Sequence, residues 1–122
     1  MTLHKGTIRV YKKNNVYEET LQRLRILFDD FPNVCVGFSG GKDSTVCLNM
    51  ALKVAEEKNR LPLKVVFLDQ EAEYENVINY MRNIANDKRV DMYWIQCPFK
   101  INNATSFENP WLNAWEDGGE WI

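Results

Sequence analysis

The stretch FSGGKDST concentrates glycines and side chains of the kinds that bind phosphate. Its two glycines can adopt backbone angles closed to other residues, so that successive N–H groups turn inward around an anion. The lysine adds a full positive charge, and the hydroxyl groups can donate further hydrogen bonds. The residues concerned are Ser39, Gly40, Gly41, Lys42, Asp43, Ser44 and Thr45. We predict that this loop binds a phosphate or pyrophosphate group.

Two familiar phosphate-binding loops do not match this stretch. The P-loop signature requires Ser or Thr directly after its lysine to bind magnesium, whereas Asp43 follows Lys42 here. The GxGxxG pattern of dinucleotide-binding folds is also absent from the sequence. Asp43 has two compatible interpretations. It can be the N-cap of the following helix, which we take as its main role, and it can bind magnesium through water.

The elements around the loop must hold it in place. The short apolar run Val34–Phe38 predicts a strand buried on both faces. A helix is predicted after the loop, over Ser44–Lys58. Its apolar stripe consists of Val46, Cys47, Met50, Ala51, Val54 and Ala55. The loop therefore lies at the carboxyl end of a strand, which is where open parallel sheets bind their ligands.

The alternation of strand and helix continues along the chain. Periodicity predicts helices over Val16–Phe31, capped by Asn15, and over Tyr74–Ala85. Further strands are predicted over Leu63–Leu68 and Asp91–Gln96. This order is typical of parallel strands joined by right-handed crossovers. We predict an α/β fold, a three-layer doubly wound Rossmann-like sheet in a short version with about three parallel strands.

Length and composition favour one soluble domain. The chain has 122 residues, of which 45% are hydrophobic and 26% charged, with a formal net charge of -2. We divide domain 1–122 into a helical lead-in (1–33), an α/β core (34–98) and a Trp-rich segment without clear periodicity (99–122). The small negative charge argues against direct nucleic-acid binding. The sequence has neither a secretory signal nor a membrane-length apolar run, so the expected location is the cytoplasm.

The cysteines and the histidine give little support to nucleophilic or metal chemistry. Cys35, Cys47 and Cys97 lack CxxC spacing and lie in or beside apolar segments, so packed, reduced core thiols are favoured over nucleophiles. His4 lies near the chain terminus and is expected to be solvated. Neither an iron–sulfur cluster nor a zinc site is expected.

The motif SGGKDS after an apolar strand resembles the pyrophosphate loop of the adenine nucleotide α-hydrolase-like superfamily, which includes the ATP pyrophosphatases. The segments FLDQEAEYENVINYMR (Phe67–Arg82) and PFKINNATSFENPWLNAWE (Pro98–Glu116) resemble the phosphoadenosine phosphosulfate reductase-like family. Within it, they are most similar to the branch that includes the immunoglobulin-binding regulator A protein. Together with the loop, these segments extend the resemblance over about Val34–Glu116, which is most of the chain.

The resemblance implies an adenine-nucleotide site. In the superfamily the loop holds the β and γ phosphates of ATP, and pyrophosphate leaves after attack on the α phosphorus. The nucleotide-binding residues implied are Ser39, Gly40, Gly41, Lys42, Asp43, Ser44 and Asp69. Lys42 and Asp43 are implied to be catalytic and Asp43 to bind Mg²⁺. Asp69 is implied to lie beside the ribose or to bind the same metal. The ligand implied is ATP or phosphoadenosine phosphosulfate, and the backbone of Val66–Leu68 is placed to contact adenine.

Two acidic residues beyond Asp69 have open interpretations. Glu71 and Glu73 would lie at the same sheet edge as the glycine loop, where carboxylates facing a phosphate need a divalent cation between them. The alternative is an acidic first turn of a helix, which the helix dipole favours; it is an equal alternative for Glu71 and the preferred interpretation for Glu73.

Departures from the family leave two functions open. Sulfonucleotide reductases use a cysteine in a C-terminal ECG-type segment, which is absent from these 122 residues, so cysteine-based reduction is not expected. The chain is then an enzyme, of the ATP pyrophosphatase or adenylyltransferase type or one that processes a sulfonucleotide, or a nucleotide-binding subunit that regulates a partner without turnover.

Association with a second copy or a partner protein is also expected. The first strand would be an open edge. Trp111, Trp115, Trp121 and Ile122 either form an interface or cover the core or the nucleotide.

Overall fold

Helices and strands alternate along residues 10–118, the part of the chain that the computed structural model describes. In chain order the elements are α1 (Val16–Asp30), β1 (Cys35–Gly37), α2 (Lys42–Glu57), β2 (Leu63–Leu68), α3 (Glu75–Ala85), β3 (Val90–Ile95), β4 (Phe99–Asn102) and β5 (Trp111–Ala114). The predicted helices and parallel strands are all present, with most of their ends within two residues of the prediction. His4, Trp121 and Ile122 lie outside the described residues.

Helix α1 begins and ends at well-defined contacts. The Asn15 side chain accepts a hydrogen bond from the Glu18 N–H (2.9 Å), and the Glu18 carboxylate accepts one from the Asn15 N–H (3.1 Å). This reciprocal pair is a capping box, and the cap predicted at Asn15 is therefore confirmed. At the other end, the guanidinium of Arg60 donates to the Phe28 carbonyl (2.9 Å) and so ties α1 to the segment before β2.

The main sheet is parallel, and its strands follow chain order. Strand β2 lies in the middle, with β1 on one side and β3 on the other. Val36 pairs with Val65 and Val65 with Met92, while Gly37 pairs with Val66 and Val66 with Tyr93. The fold class predicted from the sequence is therefore confirmed. Because both right-handed crossovers move in one direction across the sheet, they place α2 and α3 on the same face.

That common face carries the core. One continuous cluster joins residues of all three helices to alternate residues of the strands. Its fully buried strand residues include Val65 and Phe67, and Val36, Met92 and Trp94 pack against them.

The opposite face of the sheet, here called the open face, is uncovered by any element within residues 10–118. It consists of Cys35, Gly37, Lys64, Val66, Leu68, Asp91, Tyr93 and Ile95. Leu68, Tyr93 and Ile95 are 45%, 46% and 40% exposed. The described residues therefore form two of the three predicted layers: the sheet, and one layer of helices on one of its faces. The prediction that the first strand is buried on both faces is wrong, because β1 is an edge strand with one uncovered face.

The cysteine prediction is also wrong. Cys35, Cys47 and Cys97 are all exposed rather than packed in the core. Cys35 lies on the open face, and Cys47 lies on a side of α2 that faces away from the sheet. The buried stripe of α2 therefore differs from the predicted one, because Val46 is exposed while Leu48, which was not in the predicted stripe, is buried. The buried residues of α2 are Leu48, Ala51, Leu52, Val54 and Ala55.

Strands β4 and β5 form an antiparallel hairpin in the segment for which no periodicity was found. Ile101 pairs with Leu112 in its middle. Asn103 organises the connecting loop, because its side chain donates to the Asn109 carbonyl (2.9 Å) and accepts from the Thr105 hydroxyl (2.7 Å). Within residues 10–118, none of the helices is long and apolar enough to cross a membrane.

Candidate functional site

The glycine loop joins β1 to α2 with a single left-handed residue. Gly40 has φ +77°, and a Cβ placed there would lie 3.0 Å from Met81 Cε and 3.2 Å from Val77 Cγ1. Gly41 has φ -74°, an angle open to any residue. We predicted that both glycines adopt backbone angles closed to other residues. This is confirmed for Gly40 and wrong for Gly41.

Helix α2 begins at Lys42, two residues before the predicted start. Gly41 is the N-cap and provides no side-chain cap, so the prediction that Asp43 is the N-cap is wrong. Asp43 is instead the second helical residue, and its carboxylate is exposed. The first helical hydrogen bond runs from the Thr45 N–H to the Gly41 carbonyl (2.9 Å). The N–H groups of the first turn precede that bond and are available to an anion.

The hydroxyl groups of the loop are bonded to one another and to the backbone. Ser44 Oγ and Thr45 Oγ1 both donate to the Gly41 carbonyl, at 3.0 and 2.8 Å. Ser39 Oγ lies 3.0 Å from Ser44 Oγ. Since Ser44 gives its proton to the carbonyl, Ser39 is the donor in that contact. The donors that point outward are thus the backbone N–H groups and the Lys42 ammonium.

Helix α3 supports the loop from the core side, a contact that the sequence pattern does not indicate. Tyr80 packs edge-on against Phe38, with ring centroids 6.0 Å apart. Its hydroxyl donates a long hydrogen bond to Thr45 Oγ1 (3.4 Å). Together with the contacts that enclose Gly40, these interactions fix the loop against α3. The helical spacing of these α3 residues was visible in the sequence, but their partner was not.

A groove of about 500 Å³ lies beside the loop, at the carboxyl ends of β1 and β2. It is lined by Gly37, Phe38, Ser39, Val66, Phe67, Leu68, Gln70 and Glu73. Its size falls within the usual range of small-molecule sites. The backbone of Val66–Leu68, which was predicted to contact adenine, forms part of this wall.

Asp69 is buried, and its carboxylate is fully engaged. Oδ1 accepts from the Glu71 N–H (2.8 Å), and Oδ2 accepts from Trp94 Nε1 (2.8 Å) and Gln96 Nε2 (3.0 Å). These donors satisfy a group that would be costly to bury alone. The carboxylate joins the end of β2 to the end of β3. Its predicted contact with ribose or a metal stays a prediction.

Glu71 holds the β4–β5 hairpin against the sheet. Its carboxylate accepts from the Trp115 N–H (2.7 Å), and Trp115 Nε1 donates to the Asp69 carbonyl (2.7 Å). Both Glu71 and Trp115 have left-handed backbone angles, φ +69° and +53°. The interpretation of Glu71 and Glu73 as a first helical turn is wrong, because α3 begins at Glu75.

The Trp115 contact borders a second cleft, of about 660 Å³. Its charged lining comprises Asp69, Glu71, Glu73, Glu75 and Arg82. Among the described residues there is no group of three or more His, Cys, Asp or Glu side chains arranged to hold a metal ion.

A parallel sheet whose first strand leads through a glycine turn into a helix defines a short Rossmann-like α/β domain. Residues 33–121 match the family model described as "Phosphoadenosine phosphosulfate reductase domain". The chain belongs to this family, within the adenine nucleotide α-hydrolase-like superfamily, and the family predicted from the sequence is confirmed.

A curated relative supports the same assignment. It is the "Uncharacterized protein YbdN" of Escherichia coli (strain K12), which is 32% identical over 111 residues. The alignment covers 88% of this chain and 27% of the relative, so the chain spans about a quarter of that protein's length. The finer placement in the branch of the immunoglobulin-binding regulator A protein stays a prediction.

Proposed function

We propose that the chain binds an adenine nucleotide, with the phosphates at the loop Ser39–Ser44 and the base in the adjoining groove. The observation that carries this proposal is the left-handed turn at Gly40, which leads directly into the uncapped amino end of α2. N–H groups at such a helix start, together with the helix dipole, bind phosphate. Lys42 adds a mobile positive charge, since its side chain is exposed.

The position of the groove supports an elongated ligand. Ser39 belongs to both the loop and the groove wall, so a nucleotide can contact both at once. ATP and phosphoadenosine phosphosulfate both carry the required adenine and phosphate groups.

For ATP, the chemistry proposed is transfer of the adenylyl group. An acceptor oxygen forms a bond to the α phosphorus, and the bond from that phosphorus to the β-phosphate oxygen breaks. The electron pair leaves with pyrophosphate, whose charge the loop N–H groups and Lys42 offset. Asp43 would hold Mg²⁺ together with phosphate oxygens, in keeping with the use of one or two carboxylates at such sites. When bound, Mg²⁺ supplies further charge neutralisation.

Calorimetry with ATP and with phosphoadenosine phosphosulfate tests the binding. Lys42→Ala should weaken affinity about tenfold or more, because a charge-assisted contact contributes about 1.5–3 kcal/mol. Lys88→Ala is the matched control, since this exposed lysine lies before β3 at the opposite edge of the sheet. Equal affinities in the two variants, or failure of the wild type to bind either nucleotide, would contradict the proposal.

A second function is nucleotide-dependent regulation of a partner without turnover. It is favoured by Asp69, whose carboxylate is committed to holding the ends of β2 and β3 together. Mass spectrometry of nucleotide recovered after long incubation with Mg²⁺ separates the two functions. Released pyrophosphate identifies the enzyme, whereas bound and unchanged nucleotide identifies the regulatory module.

A further inference from the structure

We propose that Glu73 selects a nucleotide whose ribose hydroxyl groups are free, so that the chain binds ATP in preference to phosphoadenosine phosphosulfate. This inference rests on the proposed function and makes its ligand more specific. The two nucleotides share adenine and a 5′ phosphate, but only phosphoadenosine phosphosulfate has a phosphate group on the 3′ oxygen of its ribose. The matched family is named after that nucleotide, so the side chain beside the ribose decides whether this chain binds it.

Glu73 lies where a bound nucleotide would place its ribose. It belongs to the segment between β2 and α3, and its half-buried side chain lines the groove together with Ser39 and Val66–Leu68. The same segment runs past the glycine loop, because Val77 in the first turn of α3 would lie 3.2 Å from a Cβ at Gly40. With the phosphates at the loop and the base against Val66–Leu68, the sugar is the part of the nucleotide beside Glu73.

The carboxylate of Glu73 is available to a ligand, unlike those of its acidic neighbours. Asp69 lines the neighbouring cleft, and its carboxylate already accepts hydrogen bonds from the Glu71 N–H, Trp94 and Gln96. The Glu71 carboxylate accepts from the N–H that anchors the β4–β5 hairpin. Within residues 10–118, neither a hydrogen bond nor a salt bridge engages Glu73. Donors supplied by a ligand would therefore satisfy a half-buried charge that the described residues leave without a partner.

A carboxylate distinguishes a free ribose from a phosphorylated one. Its two oxygens can accept hydrogen bonds from the adjacent 2′ and 3′ hydroxyl groups. A 3′ phosphate removes one of these donors and adds a charge of about -1.5 to -2 beside the carboxylate. Dinucleotide-binding sites show the same choice, since an acidic residue binds a free ribose hydroxyl and an arginine takes its place where the ribose is phosphorylated. Glu73 thus favours ATP through both attraction and repulsion.

The nearby cations do not offset this preference. Among the described residues that line the groove, Glu73 is the only charged one. Lys42 lies at the loop, where the proposed function assigns it to the 5′ phosphates. Arg82 lines the cleft, and its guanidinium donates to Asn79 Oδ1 (3.0 Å). A 3′ phosphate in the groove would therefore meet a carboxylate, with no compensating cation among the lining residues within 10–118.

Calorimetry of the full chain with ATP and with 3′-phosphorylated ATP, both with Mg²⁺, tests the selectivity. The two ligands have the same base and the same 5′ triphosphate, so their affinities differ only through the 3′ position. ATP should bind about tenfold or more tightly than its 3′-phosphorylated derivative, because like charges at close range repel. A third ligand, 3′-deoxy-ATP, lacks the hydroxyl donor without adding charge. It should bind about tenfold more weakly than ATP, through loss of a charge-assisted hydrogen bond.

Substitutions assign the selectivity to Glu73. Glu73→Gln removes the repulsion, so the preference for ATP over the 3′-phosphorylated derivative should fall to about threefold or less. Glu73→Lys should reverse the preference, because an ammonium group attracts the added phosphate. Glu75→Lys is the matched control, since it makes the same change of charge in the first turn of α3, at an exposed residue outside the described groove lining. The preference in this control should stay within about twofold of the wild type, because solvent and salt screen an exposed charge.

The outcomes separate this inference from the proposed function. Equal affinities of the wild type for ATP and its 3′-phosphorylated derivative would overturn the selectivity and leave adenine-nucleotide binding standing, whatever the variants do. An unchanged preference in Glu73→Lys, or an equal change in Glu75→Lys, would show that Glu73 does not set it. If the wild type binds neither ligand, the proposed function fails and this inference fails with it.

Discussion

The glycine loop shows how one backbone angle sets the geometry of a site. Within the loop only Gly40 has a left-handed φ, and a Cβ there would meet side chains of α3 at 3.0 and 3.2 Å. Gly41 is the N-cap, in a conformation that other residues adopt. The two adjacent glycines thus have different roles, although the sequence presents them alike.

A matched pair of substitutions tests this difference. Gly40→Ala should lower the free energy of unfolding by about 1–2 kcal/mol, because an alanine side chain disfavours the left-handed region. Gly41→Ala should cost about 0.5 kcal/mol, the loss of a good N-cap. Urea unfolding of both variants measures the difference. Equal losses would show that the loop does not depend on the left-handed turn.

At the scale of elements, the sequence predicted the regular parts and missed the contacts between them. Leu63–Leu68 was predicted without error because this central strand is a nearly continuous apolar run, interrupted only by Lys64. The β4–β5 hairpin was missed because its strands have only four residues each, too few to establish a period, and β5 does not alternate. The support of Gly40 by Val77 and Met81 could not be predicted either, since nothing in a sequence pairs a helix face with a distant loop.

The hairpin should respond to loss of its anchoring residue. Trp115→Phe removes the indole N–H that donates to the Asp69 carbonyl. Amide hydrogen exchange over residues 99–114 should become faster, with a smaller effect in β2 and α2. Trp111→Phe, on the same hairpin but 58% exposed, is the control and should leave exchange unchanged. An unchanged rate in Trp115→Phe would mean that other contacts hold the hairpin.

The turn before β3 makes stability depend on pH. Side-chain and backbone hydrogen bonds from Arg89 lower the pKa of Asp87 from 3.8 to about 2. A lowered pKa in the folded state stabilises the protein above the ordinary value, and this contribution is lost as the pH falls from about 4 to about 2. The pair is partly exposed, so the contribution is about 1 kcal/mol or less.

Urea unfolding at several pH values measures this contribution. Asp87→Asn should be less stable than the wild type above pH 4, and the difference should disappear near pH 2. Asp117→Asn, at an exposed position, is the control. A difference that is constant with pH would contradict the assignment.

For the whole molecule, the main finding is the asymmetry of the sheet. Composition and the order of elements predicted a parallel α/β fold, and the family match confirmed it. The third layer was expected because parallel sheets usually have one, but strand order decides which face each helix covers. That order is a property of the folded chain, so the sequence pattern did not reveal the open face.

Adjacent valines on β2 provide a direct test of the two faces. Val65 is fully buried on the core face, whereas Val66 is half-buried on the open face. Valine and threonine are nearly equal in size, so Val65→Thr should cost about 1–3 kcal/mol through burial of a hydroxyl group. Val66→Thr should stay within about 0.5 kcal/mol of the wild type. Similar losses in thermal or urea unfolding would mean that both faces are covered.

The strand order also has a consequence for how the chain folds. Each parallel strand pairs with the strand that immediately precedes it in the chain. The paired residues are 29 positions apart between β1 and β2 (Cys35 and Lys64) and 27 apart between β2 and β3 (Leu63 and Val90), so each pairing has to close a loop that contains a whole helix, which is slower than local helix formation. During synthesis, β1 can pair as soon as β2 has emerged, and β3 then joins the finished pair. The sheet thus grows in one direction from β1, and the first strand laid down keeps the edge to which a later strand can be added.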